Sequence, residues 1–593
     1  MIVSTATWSE HQQAFSERMS TFSKLRTNDN CAIYIIFNAL NNDDTVYVED
    51  DKDRELLLNR EYDYHYGGAD KGDTGFWYTV SRWIHSQFEE DTMMYVMHLL
   101  SWLSHGSRNV LEVSQRGNIV QISRKFTNGI TDLVFGKWHG DFSGATKLPS
   151  EWTGTSEIVA TRLRTGQSAR YGQCWVYANV MVTLMRCLGV ASRAVTCIRS
   201  AHDTDHTLTI DIDHRVKKAE EIWNFHVWTE IWCRRNDLPA GFDGWQVIDG
   251  TPQELSEGFN QCGPMSVKAV KMGQLNLGYD GWFIYGEINA DVCVWIRDAN
   301  GQLINTITNT NDVGRAILTA NVPGIEEPLN ITSSYKYPEG STDERSHHMR
   351  AMRELRVLER EAKLRQFYAN EKVSHVEDIL VSVSDNQQID YGSDIAMKIT
   401  LENKGDNNRT VNLVLRLDAT DHTGRVVAQI KEFTLAQNLM KGEKKVLTFR
   451  VSPADYAKHV VKNQPMSFSA SATVLKTNQF IFKADKFYIA GTAISIKEIP
   501  EDASVNEKFP VTLYFRNPQT TPLRNVELFL HSGTHHKMVK VNRFPGSVDR
   551  NGKVRIRCKV RGVSQGERVL FATVKCDQLS SMTTSRSIHI SAP

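Results

Sequence analysis

Between residues 170 and 189 the chain reads RYGQCWVYANVMVTLMRCLG, and its first cysteine stands where a thiol could act as a nucleophile. Trp175, Ala178, Met181, Val182, Met185 and Leu188 recur at spacings of three and four, as one face of a buried helix does. Gly189 falls where a helix C-terminal glycine belongs. Cys174 is thereby placed at or near the helix N-terminus, where unpaired N–H groups and the dipole favour a thiolate. A lone cysteine in such a place is more often a small core residue. Chemistry would need a base beside it and a group that orients the base.

Both types of residue occur further on. IWNFHVWTEIW (222–232) alternates as a strand and carries His226 among aromatic neighbours. After the turn LPAGFDG comes a second strand, WQVID (245–249), ending in Asp249. Trp245, Val247 and Asp249 share one face, and a carboxylate among apolar neighbours needs a partner such as a histidine on the adjacent strand. Each residue alone reads as structural, His226 as a satisfied core histidine and Asp249 as a turn residue. Together, a cysteine at a helix start, a histidine on one strand and an aspartate on the next have the papain-like order of Cys-His-Asp.

A chain of 593 residues has room for roughly three or four domains. Lys+Arg and Asp+Glu are both 69, so charge suggests neither a nucleic-acid nor an anionic-membrane partner. The longest apolar stretch, near 95–103, is too short to span a bilayer, and the N-terminus shows no secretory pattern. Nine cysteines, an odd count without zinc spacing, suit a reduced cytoplasmic protein with free thiols. The sequons at Asn330 and Asn408 then read as chance matches. Short strands and helical segments mix up to about residue 332, and 343–366 is charged and helix-favouring, as a solvated connector is. After about residue 373, alternating strands such as IAMKITLEN (395–403), TVNLVLRLDA (410–419) and FPVTLYFRN (509–517) recur between turns. That spacing predicts two antiparallel sandwiches or barrels of roughly 110 residues each.

YGQCWVYA, SRAVTCIRSAHDTD, WNFHVWTEIW, DLPAGFDGWQVIDGTPQE and YKYPEGS resemble the calcium-dependent transglutaminases of animals, over nearly the whole chain. The resemblance implies an α+β papain-like core followed by two all-β barrels, with most of the family's N-terminal β-sandwich missing. It divides the chain into a remnant of that sandwich (1–40), a catalytic core (41–342), a connector (343–372) and barrels at 373–490 and 491–593. It implies Cys174 as nucleophile, His226 as acid and base, and Asp249 as its orienting carboxylate. Trp138, in FGKWHG, would donate to the oxyanion, and Trp223 would wall the substrate tunnel. The implied reaction joins a protein glutamine to a protein lysine, or a small primary amine, through a cysteine thioester. Partners would be glutamine-donor and lysine-donor proteins acting in the cytoplasm, with export lacking a signal left open.

Calcium is the implied cofactor, and it takes about six to eight oxygen ligands. Asn289, Asp291, Glu339 and Glu344 would form one site, and Asp203, Asp205 and Glu220 a second. The second has Thr207 where relatives often carry Asn. A third would use Asn128, but Ile130 stands at an acidic position and only a loop shift would bring Asp132 in. ILVSV (379–383) and ADKFY (484–488) have no arginine where some members bind guanine nucleotide, so no nucleotide inhibition is expected. His422 stands where a family tyrosine hydrogen-bonds the resting nucleophile, and Cys262 is alone where others have a redox pair. Two rival readings remain: a glutamine deamidase or papain-like protease using the same triad, and a catalytically silent structural protein on this fold.

Overall fold

The structure is a computed structural model that describes residues 37–71, 75–101, 115–213, 220–297, 303–357, 378–384, 389–461, 464–477, 479–490, 493–519, 521–532, 539–543, 547–562 and 565–592. Of the expected N-terminal remnant only 37–40 are among these, and they form a loop and a turn, not the end of a strand.

The first region begins with a hairpin of β1 (Tyr62–Asp70) and β2 (Phe76–Ile84). Helix α1 (Ile119–Gly129) follows, capped by the Asn118 side chain, which accepts from the Val120 and Gln121 amides. β3 (Val134–Gly136) then lies parallel to β4 (Ala169–Gly172), which leads straight into α2 (Cys174–Cys187). α2 is buried on every side from Cys174 to Arg186, as a helix apolar all round must be. It stops as the sequence predicts. Gly189 turns to φ +86°, its amide bonds Arg186 O at 3.0 Å, and the Val190 amide bonds Met185 O at 3.0 Å.

α2 packs against a sheet whose centre is β5 (Ser192–His202) and β7 (Glu221–Cys233), paired antiparallel with Cys197 opposite His226. Between them, β6 (Thr209–Asp213) leaves for another sheet. β8 (Gly244–Ile248) pairs with only the second half of β7, from Thr229 on, and then with β9 (Met265–Ser266). Asp249 thus lies one residue beyond its strand, not inside it. α3 (Gly281–Asn289) crosses β5, and β10 (Asp291–Arg297) runs between β6 and β11 (Leu303–Asn309). β12 (Ala316–Thr319) and β13 (Leu329–Asn330) complete the main sheet beside β5.

The charged segment expected to be a solvated connector begins as α4 (Thr342–Glu354). Glu344, His348, Ala351 and Met352 are buried, so one face of this helix docks on the core. Beyond residue 357 the expected connector lies outside the described residues. The C-terminal region forms two pairs of facing sheets. In the first sandwich, Ile395–Asn403 alternates buried and exposed positions, because each strand has one wet and one dry face. No described helix is long and apolar enough to cross a membrane.

The β4–α2 junction is tight. A Cβ on Gly172 would stand 2.2 Å from Val134 Cγ1 and 3.3 Å from Val176 Cγ1. Gly172→Ala should therefore cost about 1–3 kcal/mol by overpacking, read as a lower Tm. Val134→Ala in the same chain should recover part of it, and a Gly172→Ala protein that melts unchanged would refute this reading of the junction.

Candidate active site

Cys174 is the first residue of α2 and is fully buried. Its preceding residue, Gln173, does not cap the helix with its side chain. Instead Gln173 Nε2 donates to the carbonyls of Lys137 (3.0 Å) and Trp138 (3.1 Å). Gln173 O accepts from the Val176 (2.8 Å) and Tyr177 (3.2 Å) amides, and the loop carrying Trp138 is tied to the helix start. Tyr177, one turn into α2, donates to Val134 O at 2.9 Å and so holds the other side of that loop.

His226 projects from the stretch of β7 that β8 does not cover, and Asp249 reaches it from just past the end of β8. His226 Nε2 lies 2.7 Å from Asp249 Oδ2, while Asp249 Oδ1 accepts from the Thr251 amide at 2.8 Å. The carboxylate is thereby held on both oxygens, and it fixes the proton of the ring on Nε2. Nδ1 has no conventional hydrogen-bond partner, which leaves it for the Cys174 thiol within reach. Burial alone would lower the proton affinity of His226. The Asp249 and Glu287 carboxylates outweigh it and hold the imidazole well above the usual histidine range. A fully buried imidazolium beside a thiol is the arrangement that stabilises a thiolate.

Two groups here escape the sequence reading. Glu287, on α3, is buried with Oε1 3.5 Å from His226 Nε2. Burial pushes it up to about 8, with His226 pulling the other way. Gln253 Nε2 reaches Asp249 Oδ2 at 3.2 Å and Glu287 Oε1 at 3.3 Å, keeping the two carboxylates apart. Gln253 follows Asp249 closely enough to have been suspected. Glu287 lies in GEIN, a helical segment without any catalytic pattern.

The rings of Trp138 and Trp223 flank the site with centroids 6.2 Å apart, and Trp223 meets His226 edge-on at 5.3 Å. His422, from the first sandwich, packs against both. Its ring lies 5.9 Å from Trp138, 5.4 Å from Trp175 and 5.5 Å from Trp223. Both of its ring nitrogens are buried without a hydrogen bond, so the expected latch is altered: it closes by packing. Its loop is held to β7, where the Asn224 amide bonds His422 O at 2.9 Å and Asn224 Nδ2 bonds Asp421 O at 2.8 Å.

The metal candidates divide. Asn289, Asp291 and Glu344 converge where α3, β10 and α4 meet, and Asn289 Nδ2 lies 3.4 Å from Glu344 Oε1. Asn289 Oδ1 is buried with no partner, an oxygen awaiting a cation. Glu339 sits at the same corner, paired with Lys336. Asp203, Asp205 and Glu220 bring one oxygen each within 4.8 Å of one another. Burial and the neighbouring carboxylates push Glu220 up to about 7, a strain that a cation would relieve. Thr207, at the position in doubt, donates its hydroxyl to Thr209 O. The Asp203 cluster fits calcium as it stands, and the Asn289 corner fits it once Arg345, which holds Asp291 and Glu344, moves aside. The third does not. Asn128 lies in the last turn of α1, Ile130 is in the core, and Asp132 is paired with Arg162 Nε at 2.8 Å and Nη2 at 3.0 Å.

Residues 145–250, which hold the cysteine, the histidine and the aspartate, match the model of the transglutaminase-like superfamily. The chain is 34% identical to human protein-glutamine gamma-glutamyltransferase K over 92% of its own length, and spans 65% of that relative. It thus covers just under two thirds of this relative. Against the hemocyte protein-glutamine gamma-glutamyltransferase of Tachypleus tridentatus it is 32% identical over 86% of its length and 67% of the relative's. The crystal structure of red sea bream transglutaminase superposes with a TM-score of 0.76 at 27% identity, covering 94% of this chain and 80% of that one. With a motif-bearing core, two C-terminal sandwiches and relatives of this extent, the chain belongs to the transglutaminase family.

Proposed function

We propose that the chain is a calcium-dependent protein-glutamine gamma-glutamyltransferase, linking protein glutamine to protein lysine or to small primary amines through a Cys174 thioester. One observation carries the reading: a buried thiol at a helix start, an imidazole in reach of it, and a carboxylate 2.7 Å behind the imidazole, all between tryptophan rings. Thiolate Cys174 attacks the γ-carbonyl carbon of glutamine. The C–N bond breaks and His226 gives its proton to the departing ammonia. The oxyanion is held by the Cys174 backbone N–H and the Trp138 indole N–H, which Gln173 keeps in place from the other side of the loop. An amine then attacks the thioester carbon, His226 takes its proton, and the thiolate leaves. Asp249 stabilises the cationic ring at both steps. The apolar walls matter because water competes with the amine for the thioester.

Calcium would be held by Asn289, Asp291, Glu339 and Glu344, and by Asp203, Asp205 and Glu220. Bound there, the ion supplies positive charge to buried carboxylates. Substrates are glutamine-donor and lysine-donor proteins. The eight described cysteines are all free, which suits the reducing cytoplasm as the place of action.

Calcium-titrated incorporation of a fluorescent primary amine into a glutamine-rich protein, with ammonia followed in parallel, tests this function. Wild type should give matched calcium-dependent signals. Cys174→Ala should lose both by at least ~10³-fold with its melting unchanged. Ammonia without incorporation would instead establish a deamidase, and neither signal a silent structural protein.

Access to the thiol depends on His422 leaving. Burial, and then the nearby His226 cation, hold His422 down at about 3. Its docked value lies below the ordinary ~6.5, so the docked loop is favoured fully above that value and loses favour as pH falls toward 3. Between pH 7.5 and 5.5 docking should weaken roughly tenfold, apart from any contribution of Glu221 and His139 around Arg425. Hydrogen exchange of the amides at 421–425, corrected for its intrinsic pH dependence, reads this directly. His422→Phe should flatten the response, and equal responses in both proteins would rule the imidazole out.

A further inference from the structure

The corner where α3, β10 and α4 meet already contains a cation of the chain's own. Arg345 Nε donates to Glu344 Oε2 at 2.5 Å, and Nη2 donates to Glu344 Oε1. Its Nη1 reaches both Asp291 oxygens at 2.9 Å. One guanidinium therefore engages all four oxygens of the two carboxylates, forking onto Glu344 with two nitrogens and reaching Asp291 with the third. We propose that Arg345 is a tethered competitor for calcium: the ion takes the Asp291 and Glu344 carboxylates only when the guanidinium gives them up, so Arg345 sets how much calcium the protein needs. This rests on reading the corner as a calcium site.

The two sides of this contact are not equally mobile. Glu344 is buried at 1% exposure and its amide bonds Ser341 Oγ at 3.2 Å, in the cap of α4. Asp291 opens β10, in register with Thr209 of β6, and His348 Nε2 lies 3.5 Å from its Oδ2. The Arg345 side chain keeps 30% of its surface in solvent and can swing outward without disturbing the core. Lys336 is a useful contrast. It also pairs with an acid of this corner, Glu339, yet it is 95% buried by its 5% exposure and donates to Ile288 O and Val313 O. Lys336 is a fixed part of the wall, and Arg345 is a removable one. Two positive groups cannot share four oxygens in a half-buried corner, because each would lose the charge that holds it while repelling the other.

Competition makes a signed forecast. Deleting a competitor tightens the ion, whereas deleting a structural clamp loosens it. Calorimetric titration of the full chain with calcium, with Glu344→Gln marking the binding event that belongs to this corner, separates the two. Arg345→Gln should tighten that event by ~10-fold, within the usual range of coupling between sites. Arg345→Lys, whose single ammonium cannot hold both carboxylates in this way, should shift it in the same direction by less, and serves if the glutamine variant melts early. Unchanged or weaker calcium binding in a folded Arg345 variant overturns the competitor and leaves the calcium site standing. If wild type shows no binding event that Glu344→Gln removes, the reading of the corner as a calcium site falls, and the competitor with it.

Discussion

The contact between His226 and Asp249 is the one on which the rest of the molecule turns. A charged imidazole with no solvent exposure is costly unless carboxylate oxygens answer it at hydrogen-bond distance, and here they answer at 2.7 Å. Neither element could supply that contact alone. β8 must stop short on β7, so that the edge of β7 at His226 is open on that side, and the chain must turn immediately so that Asp249 looks back across the gap. The Thr251 amide and Gln253 then hold the carboxylate where the turn has put it. The same demand explains why α2 is buried on every side: a close-packed helix holds its first residue aimed at that ring.

Much of this arrangement was legible before any coordinates. α2 was written in its three-and-four spacing and its terminal glycine, and the strands of both sandwiches in their alternation. The order of Cys174, His226 and Asp249 along the chain suggested a papain-like grouping, and the structure puts His226 and Asp249 2.7 Å apart. Other parts could not be read. Glu287 matters through a distance across the fold, and periodicity carries no such information. The charged segment at 343–366 looked solvated because charge dominates its composition, yet Ala351 and Met352 are enough to dock one face of α4. Asp132 looked able to stand in as a ligand until Arg162, thirty residues away, was found on both its oxygens.

The tryptophan walls and the first sandwich form one device. Trp138, Trp175 and Trp223 make a slot too apolar for water to fill cheaply, and His422 occupies it with a ring that makes no polar contact there. A hydroxyl in that position could make a hydrogen bond. An imidazole that satisfies none is held by shape and by the backbone bonds of its loop to Asn224, supported by Lys486 Nζ on Asn224 Oδ1 at 2.6 Å.

Helix α3 is only nine residues long, and Glu287 and Asn289 lie two apart on it. Residues so spaced point to nearly opposite sides of a helix, about 3 Å apart along its axis. One side faces the imidazole and the other faces the cation corner, with a single rigid turn of backbone in between. Such a rod cannot shift at one side and stay still at the other. If an ion held at the corner shifts the ring, linkage requires the ring to act on that ion in equal measure.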